Sequence, residues 1–134
     1  MPTIIIDTPA TEVAARRSVA IRLTRWFAQR GVAPAHVVLR FTQTPPGTVF
    51  SGGLPVEALP VEEGPFRHAA VTCCLGPERD DDFRTDLATE IAAALGPVSF
   101  LYIEFRPTHP SHVFVQRAGQ LTRADRASSR EKVR

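Results

Sequence analysis

Leu39-Arg40-Phe41-Thr42-Gln43-Thr44-Pro45-Pro46 has an echo later in the chain, Ile103-Glu104-Phe105-Arg106-Pro107-Thr108-His109-Pro110. Both stretches open as apolar, strand-forming runs and close on prolines, which cannot donate to a ladder. Each follows a helical pattern, and each helical pattern follows another apolar run. The chain therefore reads as two consecutive β-α-β units.

In the first unit, Thr3–Asp7 reads as a buried strand, and Thr8-Pro9 punctuates it. From Ala10 to Arg30 the apolar residues recur at helical spacing, with Val19, Leu23, Trp26 and Phe27 on one face. Thr8 or Thr11 is placed to cap this helix, and Gly31 marks its end. His36–Thr44 is the second strand, stopped by Pro45-Pro46-Gly47. Thr48–Ser51 reads as a short strand before Gly52-Gly53, and Leu54–Pro65, with Pro55, Pro60 and Pro65, as a loop. The glycine pair lacks the strand–loop–Lys/Ser context of a phosphate loop. In the second unit, Phe66–Leu75 is strand-like. Asp80, Asp81 and Asp82 suit a helix N-terminus, whose partial positive charge they complement. Phe83, Leu87, Ile91, Ala94 and Leu95 form an apolar stripe, stopped by Gly96-Pro97. Ser99–Phe105 is the fourth main strand, and His112–Val115 a short extra one.

A helix must bury its stripe against a sheet. Right-handed crossovers make the strands within each unit parallel and put both helices on one side. The expectation is an α+β fold, with a four-stranded mixed sheet and two helices on one face. It occupies residues 2–121, and 122–134 forms a disordered tail. The strand runs are apolar on both faces, so the uncovered face calls for association through the sheet.

The 134 residues suit one domain with a single modest core, and 43% hydrophobic content is ordinary for a globular chain. A net charge of +2 is too small to point to nucleic acid, and part of the basic excess falls in the last residues. No apolar run reaches the ~20 residues of a membrane span. The N-terminal apolar stretch is short and contains Asp7, unlike a signal peptide, so the expected location is cytoplasmic. Cys73 and Cys74 are adjacent, so in a strand they face opposite ways and do not pair. His109 and His112 lack the carboxylate or thiolate partners of a metal site, and no metal is expected.

Pro2, directly after Met1, carries the chemistry. If Met1 is removed, Pro2 becomes a free secondary amine. Burial and a nearby cation each lower the pKa of an amine, because each disfavours its charged form. Such a proline is a neutral base near physiological pH, able to take a proton next to a carbonyl. It can also attack a carbonyl and form an iminium. The plain alternative is a proline that simply starts a strand.

A chain opening Met-Pro with two β-α-β units resembles the tautomerase superfamily, over about Pro2 to Leu121. That family includes macrophage migration inhibitory factor, 5-carboxymethyl-2-hydroxymuconate isomerase and cis-3-chloroacrylic acid dehalogenase. Gln43–Gly53 looks like the dehalogenase segment after its second strand, and Leu101-Tyr102-Ile103-Glu104-Phe105 like the fourth strand of the inhibitory factor. The resemblance implies a homotrimer with active sites at subunit boundaries, a small carboxylate or carbonyl substrate and no cofactor. It also implies roles for individual residues. Pro2 is the catalytic proline and Tyr102 the pocket tyrosine that polarises a carbonyl. Arg79 holds a substrate carboxylate, with Arg40 a further carboxylate candidate from a neighbouring subunit. His112, near the segment that closes the site in relatives, and Gln116 are further substrate-binding candidates.

Several positions depart from the pattern. The dehalogenase's second arginine falls at Gly76, its histidine near Trp26 and its water-activating glutamate near Gln116. A neutral amide cannot act as a base. The lysine of the inhibitory factor's pocket falls near Val32. A proline base, an arginine clamp and a tyrosine suit keto-enol or double-bond isomerisation better than dehalogenation. Hydratase, decarboxylase or dehalogenase-like chemistry, or a non-catalytic trimeric binding protein, are the alternatives.

Overall fold

β1 (Thr3–Thr8) passes through α1 (Val13–Ala28) to β2 (Val38–Gln43), and β5 (Ala69–Leu75) passes through α2 (Asp81–Leu95) to β6 (Leu101–Pro107). These are the two β-α-β units. This computed structural model describes residues 2–126. The main sheet has the order β2-β1-β5-β6. Strands run parallel within each unit, and β1 is antiparallel to β5 where the units meet. Between the units, β3 (Phe50–Ser51) and β4 (Leu54–Pro55) form a hairpin. After β6, β7 (Phe114–Arg117) and β8 (Gln120–Arg123) form another. The expected α+β architecture is the observed one.

The core lies between the sheet and the two helices. Ile4 and Ile6 from β1, with Val71 and Cys73 from β5, are buried together with Val19, Leu23, Trp26 and Phe27 of α1 and Leu87, Ile91 and Leu95 of α2. Both apolar stripes seen in the sequence point into it. Trp26, Phe27 and Phe83 meet edge-on or tilted, with Trp26 ring centroids 5.1 Å from Phe27 and 5.3 Å from Phe83. The Arg30 guanidinium covers Trp26 from outside.

The other sheet face is more polar than the sequence suggested. Its rows carry Thr3, Asp7, Arg40, Thr42, Thr72, Glu104 and Arg106 among Ile5, Ala70 and Cys74. Side chains alternate strictly along a strand, so apolar-looking runs had placed their polar members on one side. No helix among the described residues is long and apolar enough to cross a membrane.

Element ends differ locally from the sequence reading. Neither threonine caps α1: its N-cap is Glu12, without a side-chain bond. Thr8 donates instead to the carbonyl of His68, 2.7 Å away. Asp80 does cap α2, accepting from the Phe83 amide at 2.9 Å. His36 closes a 3-10 turn (Pro34–His36) before β2. The expected loop after Gly53 contains β4 and a 3-10 turn at Val56–Ala58. Gly52 and Gly53, with φ of 60° and 82°, make a two-residue turn between the paired Ser51 and Leu54. That geometry explains the glycine pair without a phosphate. The ordered chain also passes the expected boundary at 121. β8 runs to Arg123, Ala124 is buried, and its amide donates to the Val113 carbonyl. Residues 127–134 of the expected tail lie outside the described residues.

At the far end of the sheet from Pro2, His68 is buried, with its ring 3.8 Å from the Glu57 carboxylate. Burial pushes the His68 pKa below its ordinary value of 6.5, against the pull of Glu57. A histidine that stays neutral when folded takes up its proton first in the unfolded chain. Stability is therefore full above about pH 6.5 and falls as pH drops below it. A melting series from pH 7 to pH 5 should show falling Tm, and His68→Gln should flatten that slope. An equal slope in the variant assigns the titration elsewhere.

Candidate active site

Because β1 and β5 are antiparallel, the start of β1 lies beside the end of β5. Thr3 pairs with Cys74, so Pro2 falls opposite Leu75. Pro2 is buried, and its carbonyl accepts from the Val38 amide at 3.1 Å. Leu75 also forms the wall of a cleft of about 390 Å3, with Arg79, Arg84, Phe105, Arg106 and Pro107 among its lining residues. The cleft sits where the parallel strands β5 and β6 end and α2 begins.

Arg79 enters the cleft from the turn before α2, where its amide bonds to the Gly76 carbonyl at 3.2 Å. Its guanidinium lies 4.4 Å from the centre of the Phe83 ring, an attractive arrangement for a cation over a π face. The Glu78 carboxylate reaches its Nε at 3.9 Å, a loose contact with both side chains partly solvated. A Cβ at Gly76 would fall on that same carboxylate. Arg79 thus has a fixed base and a largely uncommitted donor edge. Arg84 is committed, bonding to Asp81 and to the Arg79 carbonyl. Arg106 pairs with Glu104 at 3.1 Å on the rim.

Of the side chains proposed for the site from the sequence, one protomer brings Arg79 alone into the lining of this cleft. Tyr102 sits in the row of Ala70 and Asp7 and is 53% exposed. Five residues separate that row from Pro2, roughly 17 Å along the strand. Arg40 is exposed in the row of Ile5, on the face away from the helices. His112 ends an exposed 3-10 turn (Pro110–His112) just beyond β6. Gln116 is exposed on the β7–β8 hairpin, which pairs with no strand of the main sheet. Trp26 belongs to the core, and it lines the outer groove between the helices rather than this cleft.

Two lining residues were missed by the sequence reading, Arg84 and Arg106. Both carried a usable signal. Arg106 stands at the carboxyl end of a strand that is parallel to its neighbour, where ligands gather in open sheets. Arg84 is one helical turn beyond the Asp80 cap. Elsewhere, Cys73 is buried and its thiol is pushed up to about 12, chiefly by that burial, which makes it unreactive. Among the described residues, no cluster of histidine, cysteine and carboxylate side chains is arranged to hold a metal ion.

No family model and no curated protein sequence matches the chain. Solved structures do. Malonate semialdehyde decarboxylase FG41, inhibited by 3-bromopropiolate, superposes with a TM-score of 0.65 at 14% identity, over 87% of this chain and 90% of that one. N1, a member of the cis-3-chloroacrylic acid dehalogenase family, gives 0.63 at 19% identity, over 98% and 92%. A fused 4-OT solved as a symmetric trimer gives 0.65 at 17% identity, over 92% and 98%. All three are tautomerase-superfamily proteins, and the fold of this chain is the fold of that superfamily.

Proposed function

We propose that this chain is a tautomerase-superfamily isomerase. In this reading a free Pro2 amine takes a proton α to the carbonyl of a small oxo acid or enol and returns it at another carbon. One observation carries it: the strand register sets buried Pro2 against Leu75, the wall of the cleft into which Arg79 projects. Burial and the neighbouring guanidinium groups both favour the neutral amine. Arg79, seated on Phe83, offers a carboxylate its free donor edge.

Tyr102 and Arg40 belong to this reading through a homotrimer. They act in a neighbouring copy's site, Tyr102 by hydrogen bonding to the enolate oxygen. Two facts support it. Tyr102 lies too far from Pro2 to serve its own protomer. Arg40 and Glu104 occupy the same row on the two opposite edges of the sheet, so edge-to-edge copies bring opposite charges together. In this reading His112 and Gln116, on segments that leave the main sheet, close the site.

The test is Arg79→Gln, assayed on the enol–keto conversion of phenylpyruvate. A lost charged hydrogen bond costs about 1.5–3 kcal/mol, so kcat/KM should fall roughly 10- to 150-fold, mainly through KM. The methyl ester of the same substrate should show no such loss. Equal activity of wild type and variant on the free acid removes Arg79 from the site.

One observation favours a second reading, decarboxylation of a 3-oxo acid, over hydration. The cleft's lining residues include three arginines and no carboxylate to activate water. Borohydride with such an acid should trap Pro2 as a covalent adduct if an iminium forms, whereas simple proton shuttling leaves the mass unchanged.

A further inference from the structure

An arginine that reaches into a cleft from a turn is worth most when the turn is fixed, because a clamp helps only in the orientation in which it is held. Arg79 stands two residues before α2, in the turn that leaves β5. Both peptide groups beside its Cα are tied. On the amino side, its amide donates to the Gly76 carbonyl. On the carboxyl side, its carbonyl accepts from the Arg84 guanidinium. The α2 ladder does not use that carbonyl. It precedes the N-cap Asp80, whose own carbonyl takes the Arg84 amide at 3.1 Å.

Arg84 is folded back onto the turn for a local reason. It lies three residues beyond Asp81, on the same side of the helix, and the two side chains pair. A guanidinium carries its donors in a fixed plane, so one terminal nitrogen meets Asp81 while the other meets the Arg79 carbonyl. Although Arg84 lines the cleft, both terminal nitrogens are therefore spent within the protein. Its neighbour Phe83 carries the other end of Arg79, the guanidinium, 4.4 Å from the ring centre. Two consecutive residues in the first turn of α2 thus aim one side chain, Arg84 at its backbone and Phe83 at its tip.

We infer that Arg84 is a positioning residue. It fixes the turn from which Arg79 meets the substrate carboxylate, and does not itself touch the substrate. The inference rests on the role proposed above for Arg79.

The test is a double-mutant cycle on the full chain, read as KM for phenylpyruvate. Arg84→Gln should raise KM roughly 3- to 10-fold with little change in kcat, a loss of aim and not of the clamp itself. Arg84→Lys, which keeps a cation within reach of the carbonyl, should recover part of that loss. In an Arg79→Gln background, Arg84→Gln should add nothing, because no guanidinium is left to aim. Losses that multiply in the double variant would make Arg84 a direct ligand of the substrate and overturn the inference. So would an unchanged KM in Arg84→Gln when Arg79→Gln raises it. A second readout needs no turnover. The Phe83 ring shifts the NMR signals of the Arg79 side chain, and these should move toward free-chain values in Arg84→Gln. If Arg79→Gln itself leaves KM unchanged, the role proposed for Arg79 fails, and these signals decide on Arg84 alone. Signals that stay in place in Arg84→Gln overturn the inference whatever the assay gives.

Discussion

Protein whose Pro2 nitrogen is acylated should lose turnover by roughly 10^2- to 10^4-fold, the usual contribution of a positioned general base. An amide nitrogen has no basic lone pair, so the loss is one of chemistry and not of shape. Retained Met1 acylates Pro2 in the same sense. Molecules with and without Met1, separated by intact mass, should therefore fall into inactive and active fractions on phenylpyruvate. The composition makes chemical acylation unusually clean. Lys132 is the only lysine, so in Lys132→Arg an acylating reagent has a single amine to find, that of Pro2. Pro2→Ala keeps a primary amine in the same place and should lose less than the acylated protein. Full turnover by acylated protein would end the general-base reading and shift weight to a binding protein.

The repeat was legible because it is written in residues whose structural meaning is local. Pro45-Pro46 and Gly96-Pro97 stop elements wherever they occur, and the Leu87–Ile91–Leu95 stripe needs only helical periodicity. The cap of α1 was not legible, since Thr8 and Thr11 both fit a cap. A tertiary partner decided it: the Thr8 hydroxyl goes to the His68 carbonyl, just before β5 and sixty residues away. The uncovered sheet face was misjudged because a run such as Leu101-Tyr102-Ile103-Glu104-Phe105-Arg106 looks apolar until alternation sorts it. The site divides in the same way. Pro2 and Arg79 flank strands and turns that the sequence placed well. Arg106 joins them only through the pairing of β5 with β6, and Arg84 through its bond to the Arg79 carbonyl. That strand pairing also separates Tyr102 from Pro2, and the β1–β2 register sets Arg40 on the face away from the helices, which no reading of one strand at a time reveals.

Phe27→Ala should destabilise the fold by about 3–5 kcal/mol, the usual range for emptying a buried phenylalanine site. Phe27 is fully buried, and its ring meets Trp26 and Phe83. Leu95→Ala, at the far end of α2, should cost a comparable ~2–5 kcal/mol. The two variants should nonetheless part company in function. Phe83 lies between Phe27 and Arg79: its ring packs on Phe27 and carries the Arg79 guanidinium. Removing Phe27 lets Phe83 sink or turn and takes the seat from under Arg79, whereas removing Leu95 leaves that seat alone. Assayed well below either Tm, Phe27→Ala should therefore raise KM for phenylpyruvate several-fold with little change in kcat, and Leu95→Ala should leave KM unchanged. Equal KM values in the two variants would mean that Arg79 is held by the α2 turn and its Asp80 cap, with the aromatic cluster serving only the core.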